Sequence, residues 1–305
     1  MIKVKVPATS ANLGPGYDSF GLALNLFNEY KFNKRKDDKF IISIKDNNNE
    51  IIDLKEEDNL ILQTLLYLKE YYPNKLETKG LKIEVKLNYP LNRGLGSSAN
   101  AIIATLSGVN KLFDLNLDKE EILDLALKIE GHPDNIVPAL QGGFTISQIE
   151  EGQLHYEKFS VSPKLNILLF IPNLEIKTKD ARKLIGTKTN IKSASQNIAN
   201  ASLITAGFIK NDLNLIKRGS KDYLHQQKRL SLNKKLKTLF DEINEEVEEP
   251  FFLSGSGSTI IFLFKQDFTE NKEIIKKKAK DLKIVNYLIE TNVDNEGIII
   301  NKVGD

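Results

Sequence analysis

Pro90-Leu91-Asn92-Arg93-Gly94-Leu95-Gly96-Ser97-Ser98-Ala99-Asn100 joins a predicted strand to a predicted helix. Upstream, residues 81–87 alternate apolar and charged side chains, which is typical of a half-buried strand. Downstream, apolar residues recur every three or four positions from 99 to 113, which predicts one face of a helix that begins at the two serines. Glycines let the backbone approach a ligand closely, and the first turn of a helix offers unpaired N–H groups. The stretch therefore predicts an anion-binding loop, with a nucleotide phosphate as the favoured ligand.

Three other interpretations fit parts of the same stretch. A serine at a helix start is an ordinary N-cap, and glycines also make simple turns. Residues 94–99 match the dinucleotide pattern G-x-G-x-x-A, but six residues separate the strand from Gly94, and the later segment 119–130 is helical rather than a second strand. A Walker loop needs Gly-Lys-Ser/Thr, and this triplet does not occur in the chain.

The composition narrows the chemistry. The 305 residues include 43 basic and 41 acidic ones, so the formal charge of +2 does not favour nucleic acid or an anionic membrane as a partner. There is no cysteine and there are only three histidines, so any metal is expected to be a hard ion held by oxygen atoms. Residues 1–6 alternate as a strand rather than forming a signal peptide, and no apolar run is long enough to span a bilayer. We therefore expect a cytoplasmic protein.

Three motifs together resemble the kinase superfamily named after its galactokinase, homoserine kinase, mevalonate kinase and phosphomevalonate kinase members. The stretch from Pro90 to Ala99 resembles its nucleotide motif. The runs 7–24 (PATSANLGPGYDSFGLAL) and 253–259 (LSGSGST) resemble its other two motifs and stand in the family order. The first run and residues 130–135 (EGHPDN) resemble the homoserine kinase branch specifically. Ser258 stands where the third motif usually carries proline.

The resemblance implies an α+β, two-domain fold of small-molecule kinases. The expected N-terminal domain, residues 1–155, is ribosomal-S5-domain-2-like and binds the nucleotide. The expected C-terminal domain, residues 156–305, is ferredoxin-like with a βαββαβ order. The polar, turn-like residues 150–153 agree with this boundary, and the residues themselves predict that strands at 284–290 and 297–303 complete the second domain.

The resemblance also implies ATP-dependent phosphorylation of the side-chain hydroxyl of L-homoserine to O-phospho-L-homoserine, in threonine biosynthesis. Mg²⁺ would be held by Ser98 and Glu130, an oxygen-only site. The nucleotide-binding residues that it implies are Asn59, Pro90, Leu91, Asn92, Arg93, Gly94, Leu95, Gly96, Ser97, Ser98, Ala99 and Asn100.

L-Homoserine is a zwitterion with a terminal hydroxyl, so its site needs an anion for the ammonium group and cations for the carboxylate. Asp18 fits the first role, and Arg182 and Arg229 fit the second through planar, bidentate pairing. Asn12 and His132 would assist.

The resemblance implies that the catalytic residues are Asn135, Thr178 and Asn12. By resemblance, Thr178 lies near the transferred phosphate, and Asn135 stands where mevalonate-kinase-like members carry an aspartate base. We expect Asn135 and Asn12 to position the hydroxyl, whose proton leaves to the phosphate late in the transfer.

Simpler structural roles stay open for several of these residues. Asn12 and Asp18 stand in a glycine-rich segment where Asx-turns are common, and Asn59 follows Asp58, which has the character of a helix N-cap. Gly131 followed by Pro133 is an ordinary helix stop. An acceptor such as mevalonate and a non-catalytic binding module are the alternative functions, although the balanced charge disfavours RNA binding. The sequence does not determine the oligomeric state, for which a homodimer is one expectation.

Overall fold

The computed structural model describes residues 1–76, 80–176 and 178–303, with residues 178 and 179 described by their backbone only. The elements of the first half are β1 (Ile2–Ala11), β2 (Phe20–Lys34), β3 (Phe40–Lys45), α1 (Leu60–Tyr71), α2 (Pro73–Leu76), β4 (Leu81–Lys86), α3 (Ser97–Phe113), α4 (Lys119–Glu130), α5 (Pro133–Gln141), β5 (Phe144–Glu150) and β6 (Gln153–Phe159). Those of the second half are β7 (Asn166–Pro172), α6 (Thr178–Lys183), α7 (Ile191–Lys210), α8 (Leu213–Gly219), α9 (Gln226–Leu230), α10 (Lys234–Glu246), β8 (Phe251–Leu253), β9 (Ile260–Phe264), α11 (Thr269–Asp281), β10 (Asn286–Asn292) and β11 (Ile299–Lys302).

The first sheet has seven strands in the order β11-β1-β2-β4-β3, and β5 pairs with β2 and then with β6. Only β3 and β4 run parallel among the strand pairs described. The alternation in β1 buries Ile2, Val4 and Val6 against α1, α3, α4 and α5, which cover one face of the sheet. This packing holds the start of α3 next to β1.

The second sheet is antiparallel with the order β10-β7-β9-β8. In chain order these strands and the helices between them form βαββαβ with the fourth strand beside the first, so the predicted ferredoxin-like arrangement is confirmed. Among the described helices, none is long and apolar enough to cross a membrane.

Two strands correct the predicted division at residue 155. That position lies inside β6, which belongs to the first sheet through β5. The strand predicted at 297–303 forms as β11, but it pairs with β1 instead of completing the second sheet. Periodicity identifies a strand without identifying the edge that it joins, because alternation reports burial on either side of one segment and not the partner.

The starts of α1 and α4 are fixed by their caps. Asp118 accepts from the backbone of Glu121, whose side chain accepts in return, so the start of α4 is a capping box. The cap of α1 is Asn59, whose Oδ1 accepts from Leu62 N at 3.2 Å, and not Asp58. Asp58 ends a 3₁₀ turn that precedes the helix, which shifts the cap by one residue.

A second apolar core joins the two sheets. Leu13, Phe20 and Phe144 from the first half pack in one cluster with Phe208 and Phe252 from the second. Phe144 and Phe208 stack with ring centroids 4.3 Å apart. The loop of residues 12–18 therefore lies between the two halves and is in contact with side chains of the second half.

Candidate active site

A cavity of about 770 Å³ lies between the two halves, a volume suited to a small-molecule ligand. One end is apolar and is lined by Ile44, Leu54, Ile61, Val85 and Leu87. The other end is polar and charged. Of the residues selected from the sequence, the cavity is lined by Asn12, Asn59, Leu91, Asn92, Gly94, Gly96, Ser97, Ser98, Glu130, His132, Asn135, Arg182 and Arg229.

The loop before α3 has the backbone of an anion cradle. Gly94 and Gly96 have φ values of 78° and 68°, which favour glycine. A Cβ on Gly96 would lie 1.9 Å from Thr9 Oγ1, so a larger residue does not fit. Helix α3 begins at Ser97, whose buried Oγ has no hydrogen-bond partner among the described atoms. Free N–H groups and an unsatisfied hydroxyl together suit phosphate oxygens.

Not every residue of this stretch turns its side chain toward the cavity. Leu95, Ala99 and Asn100 are fully buried in the protein interior. Arg93 points along the surface, where Nη2 donates to Asn173 Oδ1 at 3.2 Å. These four side chains and Pro90 are absent from the lining, so their expected part in binding the nucleotide, through backbone groups, stays a prediction. The helical period that places Ser98 at the cavity directs its neighbours into the core.

The third motif fastens the loop to the rest of the site. Ser254 Oγ lies 2.6 Å from Gly94 O, and Thr259 N donates to Arg93 O at 3.1 Å. Gly255 N donates to Ala11 O at 3.0 Å, which ties the same segment to the first motif. Ser258, the departure from the family pattern, is buried and donates to Leu174 O. All three motifs, widely separated in the chain, thus meet at one place.

The charged end is built around Tyr17, which the sequence reasoning did not select. Arg182 donates to both carboxylate oxygens of Asp18, at 2.9 and 2.8 Å, and to the Tyr17 hydroxyl at 3.2 Å. Arg229 lies over the aromatic ring of Tyr17, with its guanidinium carbon 5.4 Å from the ring centroid. Arg229 is 2% exposed, and its Nη1 donates to Gly255 O at 2.6 Å. The side chains predicted for substrate charges therefore lie together.

The side-chain amide of Asn12 mainly holds the backbone of the surrounding loop. Its Oδ1 accepts from Asp18 N at 3.0 Å, and its Nδ2 donates to Gly255 O at 3.2 Å. Both ends of the amide are thus engaged in holding the loop. Asn12 lines the cavity, but its main contacts position Asp18, whose φ of 55° requires such support.

Two carboxyls, those of Glu130 and Asp134, line the cavity together with the arginines. Burial, reinforced by the neighbouring Asp134, raises the pKa of Glu130 to about 7. Burial, reinforced by Asp18, likewise raises the pKa of Asp134 to about 7. Burial lowers the pKa of His132, as does Arg182, so its imidazole is favoured in the neutral form. Asp134 belongs to a motif noted in the sequence, but only its depth in the cavity wall reveals its place in the site.

Asn135 occupies the junction of the phosphate loop and this acidic wall. Its Oδ1 accepts a hydrogen bond from Thr9 Oγ1 at 2.7 Å, and its Nδ2 lies 3.4 Å from Asp134 Oδ1. The Thr178 side chain lies outside the described residues, so its role near the transferred phosphate stays a prediction. No group of three histidine or acidic side chains suited to a metal occurs in the described ranges. Ser98 and Glu130 nevertheless line the same cavity.

Comparisons with known proteins agree with this geometry. The model of the GHMP kinases N terminal domain matches residues 59–143, and that of the GHMP kinases C terminal matches residues 204–283. The chain is 36% identical to the homoserine kinase of Halothermothrix orenii over 301 residues, covering 98% of this chain and 96% of that one. The chain belongs to the homoserine kinase family. The family expected from the three motifs is therefore confirmed.

Other homoserine kinases show the same relationship. The homoserine kinase of Clostridium beijerinckii is 34% identical, with 98% of both chains covered. The crystal structure of homoserine kinase from Cytophaga hutchinsonii has a TM-score of 0.84 at 25% identity, covering 98% of this chain and 97% of that one. The L. major mevalonate kinase has a TM-score of 0.73 at 13% identity, covering 97% and 96% of the two chains, and shares the fold alone.

Proposed function

We propose that this chain transfers the γ-phosphoryl group of ATP to the side-chain hydroxyl of L-homoserine, in threonine biosynthesis. The observation that carries the proposal is the charged end of the cavity beside the phosphate loop. There Arg182 and Arg229 line the cavity as two cations, and Arg182 holds the anion Asp18. Together these groups complement the ammonium and carboxylate groups of an amino acid. Mevalonate and sugars have no ammonium group for Asp18.

The two ends of the cavity divide the ligands between them. The apolar end, near Ile61 and Val85, is suited to the base of ATP, and the backbone N–H groups at the start of α3 are suited to its phosphates. The side chain of Asn59 already caps α1 through its oxygen, which leaves its NH₂ group to meet the base. The amino acid then lies between the phosphate loop and the arginines, with its hydroxyl toward the γ-phosphate.

The chemical step needs positioning and charge neutralisation. The acceptor oxygen forms a bond to the γ-phosphorus while the bond to the ADP oxygen breaks, and the hydroxyl proton passes to the transferred phosphate late in this step. Asn135 directs its NH₂ group toward this region, so it donates a hydrogen bond and cannot remove the proton. Asp134 offers a second oxygen to the hydroxyl from the same wall.

Mg²⁺ fits the oxygen donors of the site. Ser98 and Glu130 would hold it, and when bound it neutralises charge on the phosphates. The raised pKa of Glu130 reflects a buried carboxyl close to a second acid, and a divalent cation there would favour the ionised form.

Release of ADP by the purified protein with Mg-ATP tests the proposal. The acceptors are L-homoserine, mevalonate, galactose, L-serine and none. Two truncated acceptors serve as matched controls: 4-hydroxybutyrate lacks the ammonium group, and 3-amino-1-propanol lacks the carboxylate. We expect strong stimulation by L-homoserine only. Equal activity with either truncated acceptor would contradict recognition of both charges, and ATP binding without any acceptor activity would favour a binding module.

A further inference from the structure

The hydroxyl of Thr9 contacts the side-chain amide of Asn135. Thr9 is completely buried, and its Oγ1 donates to Asn135 Oδ1 at 2.7 Å. With the amide oxygen at Thr9, the NH₂ group faces the cavity wall of Asp134, where Nδ2 lies 3.4 Å from Oδ1, so the two contacts together set the orientation of the amide. A rotated amide would instead present an oxygen toward the phosphate, and this oxygen would repel the phosphate oxygens.

We propose that Thr9 is a positioning residue for phosphoryl transfer, which acts by holding the NH₂ group of Asn135 toward the reacting atoms. The proposal rests on the function proposed above, and it gives Thr9 a role beyond its place in the first motif.

A change in strand register gives Thr9 its direction. Between Pro7 and Ala8 the pairing of β1 with β2 shifts, since Pro7 pairs with Phe27 and Ala8 with Leu24. Before the shift, Val6 packs in the core beneath the helices, whereas Ala8 after it packs in the core between the two sheets. Even-numbered residues thus change faces, and Thr9 turns toward the helices and the phosphate loop.

Asn100 supports this turn of the strand from the other side. Its Nδ2 donates to the carbonyls of Val6 and Pro7, at 2.9 and 3.0 Å, the last two residues before the shift. The Tyr30 hydroxyl donates to Asn100 Oδ1 at 2.7 Å, which fixes the amide with its nitrogen toward the two carbonyls. The Asn100 side chain therefore holds β1 where the strand reaches the site, and the expected contact of Asn100 with the nucleotide stays a prediction.

Thr9 also contacts the phosphate loop directly. Its backbone N donates to Leu95 O at 3.2 Å, and its hydroxyl occupies the space that a Cβ on Gly96 would need. One residue therefore touches the nucleotide loop and the side chain expected at the acceptor. This double contact aligns the two reactants more tightly than either contact alone.

The test uses Thr9→Val, which keeps the shape and removes the donor, and Thr9→Ser, which keeps the hydroxyl. Both are made in the wild-type chain, and Thr9→Val is also made together with Asn135→Ala. For Thr9→Val we expect kcat with L-homoserine to fall about 5- to 10-fold, while the KM values for ATP and homoserine stay within about 2-fold. We expect Thr9→Ser to retain kcat within about 3-fold.

The double variant separates positioning from general damage. If Thr9 acts through Asn135, then Thr9→Val should have no further effect on kcat in the Asn135→Ala background. The same fold-loss in both backgrounds would overturn the proposal, as would a Thr9→Ser variant as slow as Thr9→Val.

A second readout does not depend on the acceptor. In protein labelled with ¹⁵N-asparagine, the side-chain amide signal of Asn135 is assigned by its loss in Asn135→Ala. We expect Thr9→Val to shift or broaden this signal and Thr9→Ser to leave it nearly in place. Wild-type protein inactive with homoserine would refute the proposed function, whereas an amide signal unchanged in Thr9→Val would refute the orienting role of Thr9.

Discussion

Arg182 donates from Nη1 and Nη2 to the two carboxylate oxygens of Asp18, at 2.9 and 2.8 Å, although the two residues are 164 positions apart in the chain. Each is expected to bind one charge of the substrate, yet in this structure they neutralise each other. A zwitterion can replace this pair without leaving either charge unpaired, because its ammonium satisfies Asp18 while its carboxylate satisfies Arg182. An acceptor with only one charge would leave either Asp18 or Arg182 half-buried without an opposite charge.

Removal of Arg182 should weaken binding of the amino acid more than binding of the nucleotide. For Arg182→Ala we expect the KM for L-homoserine to rise about 10- to 100-fold, as for loss of a charge-assisted bidentate contact. The Kd for ATP, measured by calorimetry without acceptor, should stay within about 3-fold. Arg35→Ala is the matched control, because Arg35 pairs with Asp37 on the surface away from the cavity. A parallel loss of ATP affinity would contradict the role.

The phosphate loop should not tolerate a side chain at Gly96. In Gly96→Ala the new Cβ would collide with the Thr9 hydroxyl at a positive φ, so we expect ATP binding to be lost and the free energy of unfolding to fall by about 1–3 kcal/mol. Gly152 is the control, since its φ is 80° and a Cβ there meets nothing within 4 Å. Gly152→Ala should cost about 1 kcal/mol and leave ATP binding intact. Equal ATP affinity in the two variants would reject a cradle at this loop.

The buried acids should make stability depend on pH. The pKa values of Glu130 and Asp134 in the folded chain are about 7, above their ordinary values of 4.5 and 3.8. Between these values the folded protein binds more protons than the unfolded chain, so the stability contributed by the two groups falls as the pH rises. We expect Asp134→Asn to raise the Tm of the ligand-free protein by about 5 °C at about pH 8, and to change it little near about pH 4.

Asp124→Asn provides the charge-matched control for this measurement, because Asp124 is exposed on α4. Its Tm should follow that of the wild-type protein across the range. A gain for Asp134→Asn that persisted undiminished at low pH would show that the effect arises from packing and not from ionisation.

Asn135 should assist the reaction without serving as its base. We expect Asn135→Ala to lower kcat about 10-fold, since it removes one hydrogen-bond donor from the transfer step and leaves the phosphate loop in place. The rates of Asp18→Asn and Ser98→Ala, measured under the same saturating conditions, set the scale. A loss for Asn135→Ala as large as theirs would indicate a more central role than positioning.

Local features of the site follow directly from neighbouring residues in the chain. The strand before the loop, the glycines and the start of α3 are all decided within about one turn of the residues that specify them, which is why the sequence predicts them well. The cap of α4 is equally local. The cap of α1 was misplaced by one residue because Asp58 and Asn59 are both good caps, and a 3₁₀ turn decides between them.

By itself, the sequence determined the strand, glycine loop and helix start of the phosphate loop, the three motifs and the family to which they belong. Tertiary structure alone decided that β11 returns to β1, that Asp18 meets Arg182, and that Asn100 supports the strand beneath Thr9. The physical reason is that periodicity records only whether a side chain is buried. Which distant surface buries it depends on how the two sheets pack, and that packing brings together residues that the chain keeps far apart.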